Sequence, residues 1–216
     1  MKLQGIILDF DGTILESAHI KDQGWQDLFK DYGPSIVGTV MEYHLAHEHQ
    51  NRYEKFRYVT EQVLGEEYTP EMEAKLDSAY TALVFDAIVV CPFVVGTQEF
   101  LDFFSNRVAL IIVTVNPREY FEIIIVARGI RQYFSDIYTS PWTKPEAFQD
   151  ILKKYHQQSG SWVSIGDTED DYRAARGVGI EFIGRDSGRF ATNGTFARFG
   201  DMVGIKKYLC SRYTFV

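Results

Sequence analysis

The stretch Gly5-Ile6-Ile7-Leu8-Asp9-Phe10-Asp11-Gly12-Thr13 sets two carboxylates one residue apart at the end of a short apolar run. Asp9 and Asp11 would repel each other, and burying either beside a hydrophobic segment is costly unless positive charge answers it. Three further apolar runs also end in polar residues. Val108-Ala109-Leu110-Ile111-Ile112-Val113 leads into Thr114. A short run from Ser135 to Thr139 is followed by Ser140-Pro141-Trp142-Thr143-Lys144-Pro145. Trp162-Val163-Ser164-Ile165 opens onto Gly166-Asp167-Thr168-Glu169-Asp170-Asp171. Carboxylates, a hydroxyl and an ammonium converging on one rim are what phosphoryl transfer through an aspartate requires. One carboxylate attacks phosphorus, and cations neutralise both it and the phosphate. Mg²⁺ suits that task, because it takes oxygen ligands from one or two carboxylates, a phosphate and waters. On this reading Asp9 and Asp11 tolerate each other because a divalent cation, Lys144 and the bound phosphate hold them, and the metal inverts the usual penalty on their ionisation.

These groups meet only if the chain brings the runs side by side. Unbroken apolar runs of strand length that alternate with helical segments predict a parallel sheet covered on both faces, whose ligands sit at the carboxyl ends of the strands. Helices are expected at about Thr97–Ser105, Pro117–Arg128, Pro145–Tyr155 and Asp170–Arg176, with a last strand at Ile180–Ile183. The segment from Ser17 to Val89 reads differently, as helices separated by turn signals with no strand-period run. They are placed at Ser17–Asp31, Ser35–His47, Arg52–Leu64 and from Thr69-Pro70-Glu71 onward, Pro70 standing at a first helical position. The expected fold is therefore α/β, a Rossmann-like parallel sheet with an all-helical cap inserted after its first strand. Residues 1–16 and 90–216 form the core and 17–89 the cap. Asp186 to Phe199 is expected as a mobile loop before a closing helix around Met202 to Leu209.

Asp9-Phe10-Asp11-Gly12-Thr13, then Thr114, then Lys144, then Gly166-Asp167-Thr168-Glu169-Asp170-Asp171 resemble the four ordered motifs of the haloacid dehalogenase-like hydrolases. The chain is most similar to their phosphoglycolate phosphatase/β-phosphoglucomutase-like branch, whose helical cap follows the first motif. The resemblance implies Asp9 as nucleophile and Mg²⁺ ligand. Asp11 would ligate Mg²⁺ through its carbonyl while its side chain serves as general acid and base. Thr114 would bind a phosphoryl oxygen, Lys144 would bridge nucleophile and phosphate, and Asp167 would complete the metal's protein ligands. Asp171 would act behind them, with Asp170 competing for that role. Dehalogenases of the superfamily lack the second aspartate of the first motif, so Asp11 favours phosphate chemistry. Gly12 lets backbone approach the ligand, and N–H groups of Gly12 and Thr13 could cradle phosphate. One departure stands out: Val115 follows the second-motif hydroxyl where many relatives place a small or amide residue, and Asn116 comes one place later.

Each signal has a plainer reading on its own. Asp9 and Asp11 could form a turn, Lys144 could be a solvated charge, and Gly166 to Asp171 could cap a helix. Their order carries the inference. His44 and His47 share a helix face but lack the carboxylates of a zinc site, which leaves them solvent-facing or packed in the cap. Trp25, Phe29, Tyr43, Tyr53, Phe56 and Tyr58 read as the cap's core. Arg52, and more weakly Lys55, are candidates to hold a substrate's distal anion, against plain surface charge.

The formal charge is 22 − 30 = −8, and no basic run offers a footprint for nucleic acid. No apolar run approaches the ~20 residues of a membrane span. Cys91 and Cys210 lack metal spacing, and Met1 to Gln4 leads straight into the first strand, so a reducing cytoplasm without a signal peptide is expected. The reading is a Mg²⁺-dependent phosphatase of a small phosphorylated metabolite, a sugar or organic-acid phosphate. A phosphomutase would use the same residues. An idle phosphate-binding relative would have little use for both Asp9 and Asp11. Substrate identity and oligomeric state stay open at this level.

Overall fold

A run of apolar residues without alternation has no face to offer water, so it must be covered on both sides. In the computed structural model, which describes residues 1–155, 159–190 and 194–215, these runs are neighbours in one sheet. Strand β1 (Gly5–Leu8) is buried throughout. It is followed by helices α1 (Ala18–Phe29), α2 (Pro34–Ala46), α3 (Arg52–Tyr58) and α4 (Pro70–Val90). Then come α5 (Thr97–Phe104), β2 (Ala109–Pro117), α6 (Arg118–Ala127), β3 (Asp136–Ser140) and α7 (Lys144–Lys154). The chain continues through β4 (Trp162–Gly166), α8 (Glu169–Gly177), β5 (Glu181–Arg185), β6 (Ala197–Phe199) and α9 (Met202–Arg212).

The six strands are all parallel, in the order β3-β2-β1-β4-β5-β6. The chain thus builds outward from β1 to β3 on one side, then returns to place β4 on the other side of β1. That reversal opens a crevice at the carboxyl ends of β1 and β4, the place where parallel sheets bind ligands. Beneath it, Ile7, Ile111, Val113, Tyr138 and Trp162 of the strands pack with Ala147, Phe148 and Ile151 of α7 and Ala174 and Ala175 of α8. Each large apolar side chain buried there contributes roughly 1.5–3 kcal/mol, which gives the rim a rigid base.

Two unit boundaries are evident: residues 1–16 with 92–216 form the sheet unit, and residues 17–91 form a helical unit. In the helical unit Trp25, Phe29, Phe56, Val40 and Val84 are buried, and the Trp25 ring stacks on both Phe29 and His44. Thr69 caps α4 by accepting from Met72 N–H at 3.2 Å, and Asn51 with Glu54 forms a capping box at the start of α3.

The structure corrects several local expectations. The third cap helix is α-helical only to Tyr58 and continues as a π-helical turn over Val59–Val63. β2 does not stop at Thr114; it runs to Pro117 with a register irregularity against β3 between Val113 and Pro117. The strand expected at Ile180–Ile183 is present as β5, but it is not the last, because Ala197–Phe199 forms β6 on the edge beside it. The expected loop from Asp186 to Phe199 therefore ends in a strand, and its residues 191–193 lie outside the described residues. Three residues are too few to carry a legible period, which is why β6 escapes a reading by pattern.

Arg52 and Lys55 are not surface charges. Arg52 is 7% exposed, pairs with Asp77 at 2.9 Å and donates to Thr81 Oγ1 at 2.9 Å. Lys55 donates to His44 Nδ1 at 3.1 Å and to the His44 carbonyl at 3.0 Å. His44 also meets Asp22 at 3.0 Å through Nε2, so this histidine is packed inside the helical unit rather than facing solvent.

Candidate active site

The one-residue spacing of Asp9 and Asp11 follows from strand alternation. Asp9 extends the ladder, its N–H donating to the Ile165 carbonyl at 2.9 Å. Phe10 then turns to the opposite side, fully buried and edge-to-face on Phe121 at 4.7 Å. Successive side chains point to opposite faces, so one intervening residue returns Asp11 to the side of Asp9.

Lys144 is the first residue of α7, behind a capping box of Thr143 and Glu146. Its ammonium donates to Asp9 Oδ1 at 2.9 Å and to Asp171 Oδ1 at 2.5 Å. Asp171 reaches it because a second capping box, at the start of α8, fixes that carboxylate: Thr168 N–H and Oγ1–H donate to its Oδ2 at 3.2 and 2.7 Å. Asp170, one residue earlier, points elsewhere and pairs with Arg173 at 3.1 Å. Of the two acids weighed for this role, Asp171 is the one on Lys144. Gly166 makes the approach possible, since a β-carbon there would lie 2.3 Å from Asp171 Cγ.

Asp167 is 1% exposed. Its Oδ2 accepts from Ser187 Oγ at 2.9 Å, and its Oδ1 is buried with no hydrogen-bond partner among the described residues. An acceptor left unmatched in that way costs about 1–3 kcal/mol. Carboxylate oxygens of Asp9, Asp167 and Asp171 all lie within 4.8 Å of one another. An all-oxygen donor set with an orphaned buried oxygen fits Mg²⁺, which would be held by Asp9, Asp167 and the Asp11 carbonyl.

The electrostatics agree. Burial pushes the Asp9 carboxyl up to about 7, against the pull of the Lys144 ammonium and with the help of Asp171 and Asp11. Asp167 is raised well above the usual carboxylate range, mainly by burial and then by Asp9 and Asp171. Burial works against the Lys144 charge, but Asp171 and Asp9 more than compensate and hold the lysine protonated. The site thus carries more negative charge than one lysine balances, and a divalent cation would relieve the excess.

Thr114 and Asn116 stand two apart on β2, both buried. The Asn116 amide donates to Thr114 Oγ1 at 2.9 Å and to Asp11 Oδ2 at 2.8 Å. The residue that looked displaced in sequence therefore links the second motif to the first. Gly12 and Thr13 differ from expectation. The Gly12 N–H donates to the Leu15 carbonyl at 2.8 Å and the Thr13 N–H to Phe10 at 3.3 Å, so both serve the loop itself. The Thr13 side chain is fully buried. Gly12 instead allows close packing at φ +74°, a β-carbon there falling 2.1 Å from Asp167 Oδ2. Arg52 and Lys55 belong to the helical unit, where they meet Asp77, Thr81 and His44.

The chain matches the haloacid dehalogenase-like hydrolase family over residues 6–185. It belongs to that family. No curated protein matches it in sequence. Among solved structures, a predicted phosphoglycolate phosphatase from Haemophilus somnus 129PT aligns with TM-score 0.75 and 18% identity, over 96% of this chain and 98% of that one. The hydrolase YfnB from Bacillus subtilis, bound to magnesium, aligns with TM-score 0.71 and 16% identity over 97% and 99% of the two chains. CbbY from Rhodobacter sphaeroides, in complex with phosphate, aligns with TM-score 0.71 and 16% identity over 94% and 96%. At these identities the likeness speaks for the haloacid dehalogenase-like fold. Among the described residues no helix is long and apolar enough to cross a membrane.

Sequence reasoning passed over Arg185 and Ser187, which touch Gly12 and Asp167 respectively. A signal was present: both follow the apolar run that forms β5, at the same end of the sheet as the other polar groups.

Proposed function

We propose that this chain is a Mg²⁺-dependent phosphatase that cleaves a small phosphorylated metabolite through an aspartyl phosphate on Asp9. The observation that carries the reading is Lys144 seated between Asp9 and Asp171, beside an Asp167 oxygen with no partner. Mg²⁺, when bound, would neutralise the attacking carboxylate and the substrate phosphate together. Asp9 attacks phosphorus while Lys144 holds its other charge partner in place. The departing alkoxide takes a proton from Asp11. Asp11, now a carboxylate, removes a proton from water, which attacks phosphorus and frees both inorganic phosphate and Asp9. Acid–base help of this kind is typically worth ~10²–10⁴-fold. Asn116 keeps the Asp11 carboxyl oriented, and Thr114 donates to a phosphoryl oxygen.

The phosphate and xylulose-1,5-bisphosphate complexes of CbbY favour a sugar phosphate as the class to try first. The helical unit is assigned the role of a cap that excludes water and sets specificity. Free Cys91 and Cys210 suit a cytoplasmic setting. The test is turnover of an aryl phosphate by purified protein: EDTA should abolish phosphate release and Mg²⁺ should restore it. Metal-independent turnover would overturn the mechanism. A panel of phosphorylated metabolites then identifies the substrate.

A further inference from the structure

The end of β5 and the turn behind it hold none of the four ordered motifs, yet Ser187 locks onto one group that would bind metal and Arg185 onto the loop beside another. Ser187 Oγ donates to Asp167 Oδ2 at 2.9 Å. Arg185 is buried, donates through Nη1 to the Gly12 carbonyl at 3.0 Å and pairs through Nη2 with Glu16. We propose that Ser187 and Arg185 are positioning residues of the metal centre, Ser187 orienting the Asp167 carboxylate and Arg185 fixing the loop that presents the Asp11 carbonyl. This inference rests on the Mg²⁺ reading above.

A free carboxylate rotates about its last bond and can offer either oxygen. At Asp167 that freedom is gone: Oδ2 is tied to Ser187 and lies against the Gly12 backbone, so that a β-carbon on Gly12 would be 2.1 Å away. Oδ1 is then the oxygen left for a cation, and it is the buried atom with no hydrogen-bond partner among the described residues. Partners that fix a metal's ligands commonly carry a tenfold to hundredfold share of its affinity.

Arg185 acts on the other ligand through a peptide plane. The Asp11 carbonyl and the Gly12 N–H belong to one rigid amide, so the direction of the N–H sets the direction of the carbonyl. That N–H is held by the Leu15 carbonyl at 2.8 Å. Gly12 itself stands at φ +74°, a conformation open to glycine, and Arg185 holds its carbonyl. With both ends of Gly12 pinned, the Asp11 carbonyl has one orientation. A planar guanidinium spans Gly12 and Glu16 at once, whereas an ammonium is a single point of charge.

The test is calorimetric titration of the full chain with Mg²⁺, alongside melting with and without the ion. Ser187→Ala should weaken Mg²⁺ binding by about tenfold, so that its melting midpoint falls further below the wild type's in the presence of Mg²⁺ than in its absence. Ser187→Thr, which keeps the hydroxyl, should restore binding to within about threefold, and Arg185→Lys should weaken it by about tenfold. In aryl phosphate turnover the Ser187→Ala defect should lie in the half-saturating Mg²⁺ concentration and shrink as Mg²⁺ is raised. Wild type that binds Mg²⁺ while Ser187→Ala binds it equally well overturns the positioning role alone. A Ser187→Ala protein whose Mg²⁺-free midpoint falls as far as its Mg²⁺-bound one marks the hydroxyl as a loop staple and also overturns it. Wild type that binds no Mg²⁺ overturns the metal reading and this inference together.

Discussion

Lys144 in the sheet unit and Lys55 in the helical unit are both buried ammonium groups, 9% and 4% exposed. Their surroundings differ in kind. Lys144 faces two carboxylates, and a third, Asp167, stands beside them with an oxygen unmatched. Lys55 faces an imidazole nitrogen and a carbonyl, both of His44. The other ring nitrogen, Nε2, meets Asp22 Oδ1 at 3.0 Å. In the helical unit an imidazole thus stands between an amine and a carboxylate, and Trp25 stacked on that ring makes the network part of the packing. Among the described residues only Asp9, Asp167 and Asp171 group as a cation's ligands would. Burial of charge alone therefore does not mark a reactive site; an excess of converging carboxylate oxygens does.

The contrast can be broken at several points. The largest effect is expected from Asp9→Asn, which removes the nucleophile and should cut aryl phosphate turnover by about 10⁴-fold or more, measured by phosphate release. Lys144→Met leaves Asp9 and Asp171 buried without their cation and should cost about 3–5 kcal/mol by urea denaturation in the absence of Mg²⁺. Lys55→Met removes two hydrogen bonds to His44, and its cost should be nearer about 1–3 kcal/mol. Equal costs for the two lysines would erase the distinction between the units. Arg52→Ala should raise the Michaelis constant of the natural substrate if Arg52 meets a distal anion; an unchanged constant confines Arg52 to its pairing with Asp77.

The smallest effect concerns pH. Without metal, Asp9 binds its proton more tightly when folded, about 7 against an ordinary 3.8. The stability this group contributes is complete below 3.8 and is lost as pH rises through about 7. Mg²⁺ takes the place of that proton. The Mg²⁺-induced rise in melting temperature should therefore be larger at pH 8 than at pH 6, by about 2–4 °C, in differential scanning calorimetry.

Much of the site was legible because one rule governs it: polar residues after apolar runs share a rim once the strands lie parallel. That rule found Asp9, Asp11, Thr114, Lys144 and Asp167 as candidates. It also applied to β5, where Arg185 and Ser187 stand, but basic and hydroxyl residues after a strand are too common to be read without their partners. The partners of the cap candidates were hidden for a related reason. Arg52 and Lys55 look like surface charge in a helical sequence, and only packing shows them enclosed and paired within the unit.

Local order along the chain determined the parallel strands, the helical segment between the first strand and the rest, and the types of group at each strand end, because apolar periodicity and turn chemistry act over a few residues. Tertiary structure alone decided the pairings. Asn116 meets Asp11 across 105 positions and Lys144 meets Asp9 across 135, and which of two adjacent acids, Asp170 or Asp171, reaches the lysine depends on a helix cap. Such choices rest on distances of a few ångströms between segments remote in sequence, and those distances exist only once the sheet has closed around β1.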